Sequence, residues 1–232
     1  MILEKEAQAE IASYVGRLLR EAFGRGPQSI YVSINRPYVV LYLRNFLSPT
    51  EKILLEQDQI HSIQSTRDLL MKSLIPEIKA YLLLLAGMNI QEFYYDWGLH
   101  NHSGVMVGVE GHDDRGQPYL GSDYIGKDEL QHEISLISQQ VQKRPDVLYS
   151  CLINDRTLLV IRVGILISIE KELIRIGHEE SLKLAKRNLE KGHLHNNGHF
   201  QKFLNAKVTD LFVDWDFHLD KSVMVFILNP GQ

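Results

Sequence analysis

Three histidines fall within seven residues in the stretch "KGHLHNNGHF": His193, His195 and His199. Imidazole nitrogens suit zinc, copper or nickel, and histidines four apart on a helix would share one face. With an open coordination position and a nearby base, such a set would support metal-dependent hydrolysis. Asn196, Asn197 and Gly198 interrupt any helix between His195 and His199, so a solvated helix break is the plainer reading. Three arginines, Arg25, Arg44 and Arg67, are the candidate anion ligands, because a guanidinium fork takes carboxylate or phosphate through paired hydrogen bonds. Arg25 lies between two glycines in "GRGP", where backbone can approach a ligand closely. The plainer reading has Arg25 on helix carbonyls and Arg67 paired with a glutamate on a helix face. His100 and His218 read as hydrogen-bonded turn histidines rather than catalytic bases. No phosphate-binding loop, dinucleotide fingerprint, His-Glu-x-x-His or Gly-x-Ser-x-Gly elbow occurs, so no catalytic residue and no cofactor is nominated.

The bulk properties exclude several classes of partner. The chain has 232 residues, 44% hydrophobic and 23% charged, with a net charge of -4. That charge gives no general attraction to nucleic acid or anionic lipid. One cysteine, Cys151 in "LYSCLIN", builds no disulfide framework and suits a reducing cytosol. The start "MILEKEAQAEIA" lacks the apolar core of a signal peptide. The run "AYLLLLAGMNI" is shorter than the roughly 20 residues a spanning helix needs. A cytoplasmic protein is expected.

The elements that must position these residues come in two sets. "YYDWGLHNHSGVMVG" at Tyr94 returns as "FVDWDFHLDKSVMVF" at Phe212, and Trp215 follows Trp97 by 118 positions. Glu170 in "SIEK" follows Glu51 in "PTEK" by 119, and Leu130, Ile134, Ile137 and Val141 follow Ile11, Val15, Leu18 and Ala22 by the same offset. Order kept along the whole length points to duplication of a unit that carries its own core. The expected domains are 1–110 and 128–232. The Gly- and Asp-rich stretch at 111–127 reads as a linker.

Within each copy the pattern predicts helix, two strands, two helices, two strands. The Ile11–Val15–Leu18–Ala22 spacing gives an amphipathic helix that "GRGP" stops. "SIYVSIN" and "YVVLYLR" read as a hairpin. "LSPTEK" reads as a helix start, with Ser48 as N-cap, Pro49 in the first turn and Glu51 closing a capping box. A long helix follows from about His61 to Ala86, disturbed near Pro76. "LLLL" at Leu82–Leu85 reads as a partner-facing run or, more plainly, as buried between helix layers or between the two copies. "IQEFYYDWG" and "GVMVGVE" form the closing hairpin, in which each tryptophan buries its ring and needs an N–H partner. Asp96 and Asp214 should point to the other sheet face. The second copy is expected to read the same way. The fold class is α+β, each unit a four-stranded antiparallel sheet with helices on one face.

On "FGRGP", "LSPTEK", the Ser-Thr-Arg at Ser65–Arg67 and the terminal "VMVGVE", the chain resembles the MpsC family of bacterial proteins. The resemblance is closer over residues 4–110 than over 128–229, so the chain is similar to a tandem pair. The second copy departs from the pattern with "QKRP", "ISIEK" and "LAKRN" near the Thr-Arg position. The resemblance implies association with a Na+-translocating or bicarbonate-linked membrane-potential-generating system; it does not point to an enzymatic activity.

Three functions follow as expectations. The first is a non-enzymatic accessory or regulatory protein, a fused pseudo-dimer partnered with a membrane transport subunit and peripheral to the inner membrane through that partner. The second is a sensor that binds a small anion through Arg25, Arg44 and Arg67. The third is a metal hydrolase built on His193, His195 and His199. A homo-oligomer is a candidate assembly, and nucleic acid is not an expected partner.

Overall fold

The computed structural model describes residues 2–111, 123–195 and 197–230. The chain divides into two compact units, Met1–Gln117 and Pro118–Gln232. Residues 112–122, most of the expected linker, lie outside those described.

The first unit runs α1 (Ile2–Phe23), β1 (Ser29–Asn35), β2 (Tyr38–Arg44), α2 (Pro49–Glu56), α3 (Ile60–Ala86), β3 (Ile90–Gly98) and β4 (Ser103–Glu110). Its strands pair antiparallel in the order β1-β2-β4-β3. Alternation puts Val39, Leu41 and Leu43 of β2, Tyr95 and Trp97 of β3 and Met106 of β4 on one face. That face packs against Ile11, Val15 and Leu18 of α1 and Ile63, Met71, Ile78 and Leu82 of α3. α1 stops where Gly24 takes φ 73°, a left-handed turn that costs glycine least.

The capping box at the start of α2 forms as read from the sequence. Ser48 Oγ accepts from the Glu51 amide at 3.3 Å, and Glu51 Oε2 accepts from the Ser48 amide at 2.7 Å. Pro76, expected to disturb the long helix, lies inside a continuous α3. Leu74, Ile78 and Leu82 on either side of it are buried, and this packing offsets the lost backbone hydrogen bond. The tetraleucine is only partly packed. Leu82 is fully buried, whereas Leu83 and Leu84 are 51% and 76% exposed.

The second unit runs α4 (Lys127–Val141), β5 (Val147–Asn154), β6 (Thr157–Val163), α5 (Ser168–Arg175), α6 (Glu179–His195), α7 (His199–Leu204), β7 (Ala206–Asp216) and β8 (Lys221–Pro230). The strand order β5-β6-β8-β7 is that of the first unit. Leu130, Ile134 and Ile137 of α4 pack on Leu158, Val160, Val213, Trp215 and Met224 of the sheet. Among the α-helices one difference stands out. Where the first unit has the single helix α3, the second has α6 and α7. α6 ends at His195 and α7 starts at His199, within the histidine cluster.

Candidate functional site

A buried ion pair joins α2 and α3 in the first unit. Arg67 is fully buried. Its Nε donates to Glu51 Oε1 at 2.7 Å, and Nη2 donates to Glu51 Oε2 at 3.0 Å and to the Phe46 carbonyl at 2.9 Å. The guanidinium carbon lies 4.5, 4.8 and 5.7 Å from the ring centroids of Trp97, Phe46 and Phe23. The charge is therefore held by a bidentate carboxylate on one side and by π faces on others. Burial pushes the Glu51 carboxyl up. Hydrogen bonds and charge from Arg67, together with the Ser48 backbone, outweigh that and hold it below its ordinary value. Glu51 thus caps its own helix and anchors Arg67 from the next.

Gly104, opposite Trp97 on β4, makes room for this arrangement. A Cβ there would stand 2.5 Å from Trp97 Cε3.

The second unit repeats the device with a different cation. Lys186, 119 positions after Arg67, donates to Glu170 Oε1 at 2.7 Å. Its Nζ lies 5.9 Å from the ring centroid of Trp215. Glu170 Oε2 accepts from the Ile167 amide at 2.9 Å, which keeps the carboxylate half of the capping box although serine is absent. Gln142 also accepts from Lys186. The tryptophans are buried as expected. Trp215 Nε1, however, has no hydrogen-bond partner among the described residues, and its ring faces a cation instead.

A second buried pair has no counterpart in the first unit. Arg162 of β6 and Glu190 of α6 are 0% and 1% exposed. Arg162 donates from Nη2 to Glu190 Oε2 at 2.6 Å, from Nη1 to Ser138 Oγ at 2.9 Å and from Nε to Ser222 Oγ at 2.8 Å. The positions 119 earlier than Arg162, Glu190 and Ser138 hold Leu43, Met71 and Leu19, all fully buried. Lys183, one turn before Lys186, places Nζ 2.6 Å from Asp214 Oδ1. Lys183, Lys186 and Glu190 follow the helical repeat, so one face of α6 presents charge to its own sheet.

Of the three candidate anion ligands, Arg67 is enclosed and already bound to a carboxylate. Arg25 and Arg44 are exposed. Each stands two residues from a ring of the Arg67 cage, Phe23 and Phe46 respectively. His100 and His218 are exposed turn residues, and the His218 amide donates to Asp216 Oδ1 at 3.0 Å.

The histidine segment borders a cleft of about 660 Å³ between α4, α6 and α7. Its polar lining comprises Glu133, Gln140, Asn188, His193, Asn197 and His199. Glu133 Oε1 accepts from the Asn197 side-chain amide and lies 3.4 Å from His199 Nδ1. Asn197 Oδ1 accepts from the amide of His199, the first residue of α7, at 2.8 Å. The His195 side chain lies outside the described residues. Among those described, no three His, Cys, Asp or Glu side chains come together to hold a metal ion.

Sequence reasoning did not single out Lys186, Arg162, Glu190 or Glu133. The available signal was the repeat offset, which sets Lys186 on Arg67 and the polar Arg162 and Glu190 on apolar residues.

The chain matches the family described as "Na+-translocating membrane potential-generating system (MpsC)" twice, over residues 4–110 and 127–230. It is also 27% identical over 101 residues to the uncharacterized protein YbcI of Bacillus subtilis (strain 168), a match that covers 43% of this chain and 82% of that protein. No solved structure matches. With two copies of one fold and a family match to each, the chain belongs to the MpsC family.

Proposed function

We propose that this protein is a non-enzymatic accessory subunit of a Na+-translocating, membrane-potential-generating system, its two repeats acting as a fused pair on a membrane-embedded partner. The observation that carries this reading is the match of both repeats to a family described by that system. The buried charges fit a scaffold: Glu51 and Arg67, Glu170 and Lys186, and Arg162 and Glu190 bind one another. Among the described residues no helix is long and apolar enough to cross a membrane, and in this reading the partner supplies the span. The Bacillus relative aligns over 101 residues, 82% of its own length and 43% of this chain, a span about that of one repeat. Fusion raises the effective concentration of the second repeat once the first has engaged.

The test is crosslinking of tagged chain in native membranes, followed by identification of the captured proteins, with Na+-driven potential measured in inverted vesicles with and without bicarbonate. Enrichment of a polytopic subunit, and a lower potential when the gene is deleted, are the expected results. Capture no different from an unrelated tagged control, with an unchanged potential, would remove the reading.

A further inference from the structure

We propose that the cleft between α4, α6 and α7 is a binding site for a small aliphatic ammonium compound, with Glu133 as its counter-ion. The cleft's volume, about 660 Å³, lies within the range of small-molecule sites, roughly 300–1,000 Å³. Its lining contains a carboxylate, three carboxamides and two imidazoles, with no lysine or arginine among the described lining residues. An anion entering it would meet the Glu133 carboxylate without a fixed positive charge to offset it. A cation would meet a carboxylate already oriented by Asn197 and His199.

Backbone electrostatics act in the same direction. Gly192 and His193, both at the cleft, belong to the last turn of α6, the end of a helix that carries partial negative charge. Leu136, Ile137 and Leu189 supply an apolar wall, suited to the methylene part of an alkylammonium. Glu133 and the α6 terminus select the charge, and the leucines and isoleucine accept the stem.

The first repeat serves as an internal comparison. Tyr14 occupies the position 119 residues before Glu133, and Tyr81 the position 119 before Phe200. Tyr14 and Tyr81 stack with ring centroids 3.5 Å apart and planes inclined by 7°, and the Tyr14 hydroxyl donates to Glu77 Oε1 at 2.6 Å. That stack closes the seam between α1 and the unbroken α3. In the second repeat the tyrosine is a glutamate and the long helix is interrupted at the same seam. The two changes coincide at the acidic cleft.

The full chain is titrated calorimetrically with n-butylammonium and putrescine, and with acetate, inorganic phosphate and Zn2+ as comparators, at constant ionic strength. Saturable binding of the amines is expected, weakened at least about tenfold by Glu133→Gln, which removes the charge at nearly constant shape. Gly192→Leu should weaken it as well, since Gly192 lines the cleft and a Cβ there has open space around it, so the larger side chain competes with the ligand for the cleft. Circular dichroism of both variants checks the fold, and the glycine replacement is compatible with helix. Absence of saturable amine binding overturns the proposal. So does amine binding unchanged in both variants, or binding of phosphate or Zn2+ alone that Gly192→Leu removes. None of these outcomes bears on capture of a membrane subunit, so this site and the proposed function fail separately.

Discussion

Glu51 and Arg67, 16 residues apart in sequence, meet in a bidentate pair whose guanidinium also faces the ring of Trp97. Glu51 simultaneously closes the capping box of α2. One carboxylate thus joins a local helix signal to a tertiary contact, and the second unit keeps that join through Glu170 and Lys186.

Breaking the pair from one side should be costly. Glu51→Gln retains a side chain able to cap but leaves Arg67 as a buried, uncompensated cation, and about 3 kcal/mol of stability should be lost. Arg67→Met combined with Glu51→Gln should recover much of it, because no unpaired charge remains. Urea unfolding followed by circular dichroism measures both. Equal stability of Glu51→Gln and the parent chain would show that the pair contributes nothing.

The same carboxylate sets an acid limit. Arg67 and the Ser48 backbone hold its folded-state pKa below its ordinary value of 4.5, so it contributes stability above its unfolded pKa and loses that contribution as pH falls through the folded pKa. The stability gap between the parent chain and Glu51→Gln should be widest near neutrality and narrow below pH 4.5. Urea midpoints across that window give the answer, and a gap independent of pH would contradict the assignment.

The Arg162–Glu190 pair permits an exchange designed from the protein itself. Arg162→Leu or Glu190→Met alone leaves one charge buried and should cost about 3–5 kcal/mol. The double variant installs the residues found at Leu43 and Met71 in the first unit and should return to within about 1–2 kcal/mol of the parent. The coupling is read from the four unfolding curves of a double-mutant cycle. Additive losses would mean the two side chains do not interact.

Cys151 should report loss of the native fold. It is fully buried, and burial pushes its thiol up to about 12, against a smaller lowering influence from Lys127. Iodoacetamide should leave the native chain unlabelled at mildly alkaline pH and label it fully in denaturant. Rapid native labelling would show that this strand is not closed.

Local chemistry accounts for what was legible in the sequence. "SIYVSIN" and "YVVLYLR" coincide with β1 and β2, and "IQEFYYDWG" with β3, because β-branched and aromatic alternation and flanking turn residues act within a few positions. The capping box and the Asn-Asn-Gly break were readable for the same reason. That Arg67 pairs with a glutamate was readable too, but its full burial and its ring partners were not, since Phe46 and Trp97 arrive from other segments. Arg162 lies in an apolar strand, where only the repeat offset marks its position as one that the first unit fills with leucine. Pro76 misled because helix packing, a tertiary effect, outweighed a local penalty.

The paired indoles have a practical consequence. The chain holds two tryptophans, Trp97 and Trp215, one in each unit and each facing a different cation. Replacing either by phenylalanine leaves one emitting centre, so fluorescence can follow one half of the molecule while the other stays dark. The duplication has supplied matched optical probes without any added label.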